Sequence, residues 1–247
     1  KTNIVDGMFE LNAGATISDV SGYSYKYRVE SWLGRINYNF DNKYYFSTSF
    51  RRDASSRFHK DNRWGTFWSV GGNWRVKQEA FLADVEWLDN LSVKASYGEQ
   101  GNDNIGSYFA WQSLYSLSYA NGNNLGALIS TLENKNISWE KNGNFNIGAD
   151  ATFLNNRLGV NFEYFNKNTK DMLLHYPMAL STGFSGYDAN VGDMRNRGVE
   201  FEVRGALVQT NDFTWNMSFM GSIVRNKVTT LTEQSKEIVS GVRIIKE

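Results

Sequence analysis

The chain has 247 residues with 26 Lys and Arg against 26 Asp and Glu, 8 Trp, 13 Tyr, 16 Phe, 22 Gly, one Pro and no Cys. A formal net charge of zero, without long blocks of one sign, excludes a general nucleic-acid binder, and the absence of Cys excludes a disulfide framework, thiolate zinc sites and a cysteine nucleophile. No apolar run approaches the roughly 18 residues that a membrane helix needs, the longest being LGALI from Leu125 to Ile129.

Length alone allows one or two domains, although a β-barrel or sandwich of this size is commonly a single unit. The opening KTNIVDG has no initiator Met, basic stretch or apolar leader, so a mature or internal piece of a protein is expected. Abundant aromatics and Gly favour strands and turns.

In chain order, Tyr23, Tyr25 and Tyr27 alternate on odd positions. From Trp32 through Gly34, Ile36, Tyr38 and Phe40 the apolar residues fall on even ones, which places a bulge or a loop-to-strand boundary between 28 and 31. Residues 1–29 are therefore expected to be an extracellular loop leading into the first strand, and 30–247 a wall of about eight strands. The tight turn signal Asp41-Asn42-Lys43 links the first run to its mirror image at Tyr44, Phe46, Thr48 and Phe50, predicting an antiparallel hairpin. The same period recurs at Trp68 to Val76, Leu91 to Tyr97, Phe145 to Phe153, Leu158 to Tyr164, Val199 to Gly205 and Trp215 to Ile223. Connections alternate between short (41–43, 154–157, 208–212) and long (53–64, 99–138, 173–196), the asymmetry of an up-and-down outer-membrane barrel with short periplasmic turns and long extracellular loops. One intermediate link, 77–90, contains AFLADVEWL, whose spacing of Phe81, Val85 and Leu88 suits one or two helical turns.

Alternation also describes a soluble barrel or sandwich with its apolar faces turned inward, and periodicity does not separate the two. Aromatics beside the short turns (Tyr38, Phe40, Tyr44, Phe46, Phe153, Phe213 and Trp215) favour an interfacial girdle. The membrane reading sends Trp32, Ile36, Tyr38, Phe46, Val70, Trp74, Val93, Ile147, Val160, Phe162, Phe201, Trp215 and Phe219 towards lipid. It sends Arg35, Arg75, Lys94, Asp150, Asn161, Glu163, Glu200, Glu202 and Arg204 towards a hydrated lumen.

Candidate contacts on a substrate path are few. Arg51, Arg52, Asp53 and Arg57 sit at a loop base, where guanidinium forks can hold anionic groups or staple the loop through mutual ion pairs. Trp111, Tyr115 and Tyr119 lie four apart in the longest loop, as a stacking platform for sugars or as loop packing. His59 and His175, the only histidines, are far apart and read as solvated loop residues, so neither a catalytic triad nor a His-based metal site is expected. GNDNIG at Gly101 to Gly106 lacks the full ligand spacing of a calcium loop and reads as a turn. Glu200 and Glu202 share a strand face, which lumen hydration explains better than paired acid-base work. No enzyme activity, cofactor or metal is expected.

The stretches YNFDNKYYFSTSFRRDASSRF (38–58), DNRWGTFWSVGGNWRV (61–76) and LSVKASYGEQGNDNIGSY (91–108) resemble SusC/RagA-type TonB-dependent outer-membrane transporters of Bacteroidota. NISWEKNGNFNIGADATFLNNRLGVNFEYFNKNTKDMLL (136–174), NVGDMRNRGVEFEV (190–203) and RIIKE (243–247) follow in family order. Two departures are Ala54 where the family usually has Gly, and Trp68 where it usually has Pro. The resemblance implies an all-β, transmembrane antiparallel barrel of about 22 strands plugged by an N-terminal domain, of which this chain supplies a middle part of the wall. That expectation agrees with the absence of plug and TonB-box segments and with Lys246-Glu247 standing where a barrel's last strand typically ends in an aromatic. It further implies import of oligosaccharides or peptides, energy from the TonB complex through other parts of the parent protein, an outer-membrane lipid environment, and a SusD-like surface lipoprotein partner on the long loops. A soluble or surface-attached glycan-binding β-protein and a small eight-stranded adhesin or anchor remain the alternatives.

Overall fold

Alternation of side chains across a pleated backbone is the local cause of the architecture. The computed structural model describes residues 2–4, 14–16, 24–121, 124–231, 237–240 and 243–246. Tyr23, most of the segment 1–29 and Glu247 lie outside the described residues. The strands in chain order are β1 (Thr2–Ile4), β2 (Gly14–Thr16), β3 (Val29–Phe40), β4 (Tyr44–Ser55), β5 (Trp64–Trp74), β6 (Leu88–Asn102), β7 (Leu114–Asn121) and β8 (Asn124–Thr131). They continue as β9 (Glu140–Phe153), β10 (Leu158–Lys170), β11 (Leu173–Pro177), β12 (Gly186–Asn190), β13 (Asp193–Gln209), β14 (Thr214–Thr230), β15 (Glu237–Ser240) and β16 (Arg243–Lys246).

Eight of these form one antiparallel sheet in the order β14-β13-β10-β9-β6-β5-β4-β3, and the remaining eight pair two by two into hairpin-like ribbons. The large sheet is open, because β3 and β14 each have a neighbour on one side only among the described residues. The small, self-closed barrel considered from the strand count therefore does not form within this chain. Each of the eight period-two runs corresponds to one wall strand, and the slip before Trp32 is a loop-to-strand boundary at Val29.

The strands outrun the alternation at their long-loop ends. β6 continues to Asn102 and β10 to Lys170, while β13 begins already at Asp193, so the long connections are shorter than the pattern alone suggests. The pattern stops early because polar residues occupy both faces there, as in Asn166, Lys167 and Asn168. Two connections carry ribbons of their own, β7 with β8 and β11 with β12. The link at 77–90 contains two 3-10 turns, Val76–Gln78 and Ala80–Leu82, and Lys77 Nζ donates to the carbonyls of Leu82 and Val85 at 2.9 and 2.7 Å.

The buried core lies beside the sheet at its long-loop end. Phe58, Phe67, Ala110, Ile137 and Trp139 form one cluster, joined by Ile105, Trp111 and Leu173, and Ala189, Val191 and Leu231 form a second.

Candidate functional site

The strand registers sort the wall into two chemically distinct faces. One carries Trp32, Ile36, Tyr38, Phe46, Val70, Trp74, Val93, Ile147, Val160, Phe162, Phe201, Trp215 and Phe219 in aligned rows, for example Tyr38 opposite Phe46 and Phe162 between Ala149 and Phe201. Most of them stay exposed, with Trp32 at 66%, Ile36 at 65% and Phe219 at 61%, while Val70, Val93, Val160 and Phe201 are half-buried between neighbouring strands. An apolar surface of this extent without a second layer is incompatible with a water-soluble sandwich, whose inner face would be packed. Its aromatics gather at two levels. Tyr44 stacks on Trp74 and Trp87 on Phe153 near the short turns, while Trp68 meets Tyr97 towards the long loops.

The other face is polar. At its centre Lys94 Nζ lies 2.8 Å from Glu163 and 3.8 Å from Asp150, with Asn161 donating to Asp150. The lysine stem crosses the backbone of Gly148, where a Cβ would stand 3.0 Å from its Cε, so glycine is what lets one cation reach two strands. On β13, Glu200 pairs in register with Glu163, Glu202 with Asn161, and Arg204 with Gly159. Arg35 donates to Asn37 at 3.1 Å on β3. Arg75 stands one residue beyond β5, and its amide donates to Lys43 O at 2.8 Å beside the first short turn. Two hollows open on this face. One of about 470 Å³ lies over Lys94 and Glu163, and one of about 790 Å³ lies below the rim against Arg51, Asp53, Gln100 and Asp103.

The rim separates residues that stand together in the sequence. Arg51 Nε donates to both carboxylate oxygens of Asp53 at 2.8 and 2.6 Å on the polar face. Arg52 points to the opposite face and stacks over Trp64 at 5.0 Å. Arg57 turns to Asp103 and Asn104 and lies 4.9 Å from the rings of Tyr27 and Tyr108. The four are thus not one anion clamp. In the longest connection Trp111 packs on the buried cluster and meets His59 edge-on at 5.3 Å, whereas Tyr115 and Tyr119 on β7 are 60% and 52% exposed. His59 lies 3.2 Å from Asp61 and His175 lies 3.0 Å from Asp188.

Several organising residues give no local signal in the sequence. Asp103 accepts from Tyr27 Oη at 2.7 Å and Ser55 Oγ at 2.6 Å, tying the segment before β3 to the end of β6. Burial, followed by this carboxylate, holds the Tyr27 phenol above its ordinary value. Asn190 bridges Ser138 and Asp171 through three bonds of 2.8 to 2.9 Å. At the other end Glu79 accepts from Tyr44 Oη at 2.5 Å and Trp74 Nε1 at 3.0 Å, with Lys43 at 3.6 Å. Those donors, Tyr44 first, lower its carboxyl below the ordinary range. Asp103 stands in the GNDNIG turn and Asn190 opens the NVGDMRNRGVEFEV stretch, but neither motif indicates the partner it holds, and Glu79 stands in no motif.

Among the described residues no group of three or more His, Cys, Asp or Glu side chains is placed to hold a metal ion.

Comparison with known proteins places this geometry. The family profile described as TonB dependent receptor-like, beta-barrel matches residues 4–243. The chain is 36% identical over 225 residues to the TonB-dependent receptor SusC of Bacteroides thetaiotaomicron, covering 88% of this chain and 22% of that protein. It is 32% identical to the TonB-dependent receptor P3 of Formosa agariphila, covering 90% of this chain and 22% of that protein. Among solved structures, the RagAB peptide transporter superposes with a TM-score of 0.84 at 32% identity, over 98% of this chain and 27% of that one. The chain therefore spans about a fifth of the length of the curated relatives it matches. By profile, sequence and superposition, the chain belongs to the TonB-dependent receptor-like β-barrel family of the outer membrane.

Proposed function

We propose that this chain is a stretch of the wall of a TonB-dependent transporter that imports oligosaccharides or peptides across the outer membrane. The observation that carries the reading is the two-faced sheet: eight strands in register, apolar and uncovered on one side, charged and hollowed on the other. The face of Trp32, Ile36, Val160, Phe162 and Phe219 meets lipid. The face of Arg35, Lys94, Asp150, Asn161, Glu163, Glu200, Glu202 and Arg204 meets the lumen. The unpaired edges of β3 and β14 belong against further strands of the intact protein, because a bilayer offers no water to their backbone groups.

The long connections at 53–64, 99–138 and 173–196 face the cell exterior and take the SusD-like lipoprotein. Exposed Tyr115 and Tyr119 on the longest of them, and the hollow below Arg51, Asp53 and Asp103, supply the substrate-facing chemistry of this stretch. The wall contributes no catalytic group, and coupling to TonB runs through other parts of the parent protein. Cells carrying the intact transporter and its lipoprotein should take up a labelled oligosaccharide or peptide only when TonB is present. Uptake that persists without TonB, or an intact protein whose gel mobility is the same unheated and boiled, would sink the reading.

A further inference from the structure

On the apolar face of the last wall strands the chemistry changes abruptly towards the long loops. Rows across β10, β13 and β14 read Val160, Val203, Phe219, then Phe162, Phe201, Gly221, then Tyr164, Val199, Ile223. The next row is Asn166, Arg197, Arg225, and the one beyond it is Asn168, Arg195, Lys227. On the neighbouring pair Lys170 stands opposite Lys141. Alternation puts all six cations on the same face as Phe162 and Phe201. Three like-charge pairs therefore stand directly across from each other, an arrangement that destabilises a strand ladder.

No carboxylate in the described sheet is ion-paired with them: among the described residues none lies within ion-pair distance of any of the six. Glu99, on the same face of β6, is engaged by Tyr97 Oη at 3.1 Å, and Asp193 accepts from the amide of Asp171 at 3.1 Å. On the polar face, by contrast, Lys94 is neutralised by two carboxylates. The opposite margin of the apolar belt, at Phe40, Tyr44, Trp74, Phe153 and Trp215, carries aromatics, and Lys43 beside them is paired with Asp41 and Glu79, so the band of unpaired cations marks one side of the belt only.

Its height is also set. From Trp215 to Ile223 the belt on β14 runs about 27 Å along the strand, which at a tilt of about 40° is about 20 Å of depth and close to the roughly 25 Å apolar band of an outer-membrane barrel. Arg225 then stands at headgroup level.

We propose that Arg195, Arg197, Arg225 and Lys227, extended by Lys141 and Lys170, bind the phosphate groups of anionic glycolipid in the outer leaflet. The inference rests on the reading that the apolar face meets lipid and the long loops lie outside. Guanidinium forks match phosphate oxygens, and an anion between facing arginines turns a repulsive pair into a shared site.

The test uses the intact transporter containing this chain, purified in mild detergent and titrated with lipid A bearing one phosphate, with its dephosphorylated form, and with inorganic phosphate. Bound lipid is counted by native mass spectrometry. The phosphorylated lipid should bind selectively, and Arg197→Gln with Arg225→Gln should weaken it about thirtyfold. Lys141→Gln with Lys170→Gln should weaken it less and serves as the second variant if the first does not fold. Equal binding of phosphorylated and dephosphorylated lipid, unchanged binding by a folded variant, or displacement of the lipid by millimolar inorganic phosphate overturns the proposal. A fluorophore at Ile223→Cys, exposed to brominated lipid, tests the face itself. An unquenched label overturns the facing and the inference together, whereas a quenched label without phosphate selectivity overturns the inference alone.

Discussion

At the short-turn end of the wall the chain reverses on a few left-handed residues, whereas at the long-loop end it reverses through a second hydrophobic core. Asp41 and Asn42 turn β3 into β4 at φ of 53° and 51°, and Leu154, Asn155 and Asn156 turn β9 into β10 at 58°, 57° and 62°. Asp and Asn tolerate this region, and Leu154 bears a cost of about 1 kcal/mol. Almost no tertiary contact is needed. The long-loop end instead gathers Phe58, Phe67, Ile137 and Trp139 from segments as far as 81 residues apart, with Trp139 Nε1 donating to Arg63 O at 2.8 Å. The Phe67 ring lies so close over Gly101 that a Cβ there would stand 2.1 Å from it. Turns fix the register of the wall, while the core fixes the shape of what projects from it. The shape of the rim can therefore change without disturbing the register of the wall.

The largest expected effect breaks the rim and spares the wall. Trp139→Ala removes a buried ring and its hydrogen bond and should cost about 3 to 5 kcal/mol. The loss should be local. Limited proteolysis of the intact transporter should cut within 103–139 while the wall strands stay protected and the unheated gel mobility is retained. Loss of the folded barrel itself would show that rim and wall are one cooperative unit.

Next comes the contrast between faces. Val160→Arg places a charge on the apolar side near mid-belt and should lower recovery of folded barrel by the equivalent of about 2 to 4 kcal/mol, whereas Asn161→Arg, beside Asp150 and Glu202, should leave assembly nearly unchanged. Equal tolerance of both, or the reverse ranking, would invert the facing of every strand.

A smaller effect tests how the rim holds the segment before β3. Ser55 is 1% exposed and donates to Asp103, so Asp103→Ala strands a buried hydroxyl and releases Tyr27, at about 1 to 3 kcal/mol. Hydrogen exchange should rise at 24–28 and not in β9 or β10. Unaltered exchange at 24–28 would assign that segment's order to the Tyr25 and Tyr27 ring contacts with Tyr108 instead.

These contrasts explain how much was legible beforehand. Every wall strand announces itself because the two faces of the sheet carry opposite chemistry on successive residues, as in Val160, Asn161, Phe162 and Glu163. The turns are legible because Asp41-Asn42 and Asn155-Asn156 tolerate φ that few residues do. The rim is not legible, because Phe58, Ile137 and Trp139 become neighbours only after the wall has brought their loops together. The Arg51, Arg52, Asp53 and Arg57 group shows the same limit from the other side. Residues adjacent in sequence were parted by the pleat, which sends Arg52 to Trp64 and Arg51 to Asp53.

The smallest effect belongs to a charged side-chain cluster at the short-turn end. Glu79, in the link after β5, gathers Tyr44, Trp74 and Lys43, and these partners favour its ionised form, lowering the carboxyl below the ordinary 4.5. A carboxylate whose folded value is depressed contributes stability at pH above its unfolded value and loses it as pH falls through the folded one. The clamp should therefore hold at neutral pH and loosen from about pH 4.5 downward. Solvent exposure keeps the gain small. Trp74 fluorescence reports it directly, since its indole N–H donates to the titrating group. Glu79→Gln keeps both acceptor bonds but has no charge to lose, so its signal should be flat over the same window where the native protein changes. If the two proteins respond alike, the acid transition belongs to another carboxylate and the short-turn end is held by backbone geometry alone, which would make the difference between the two ends of the wall larger still.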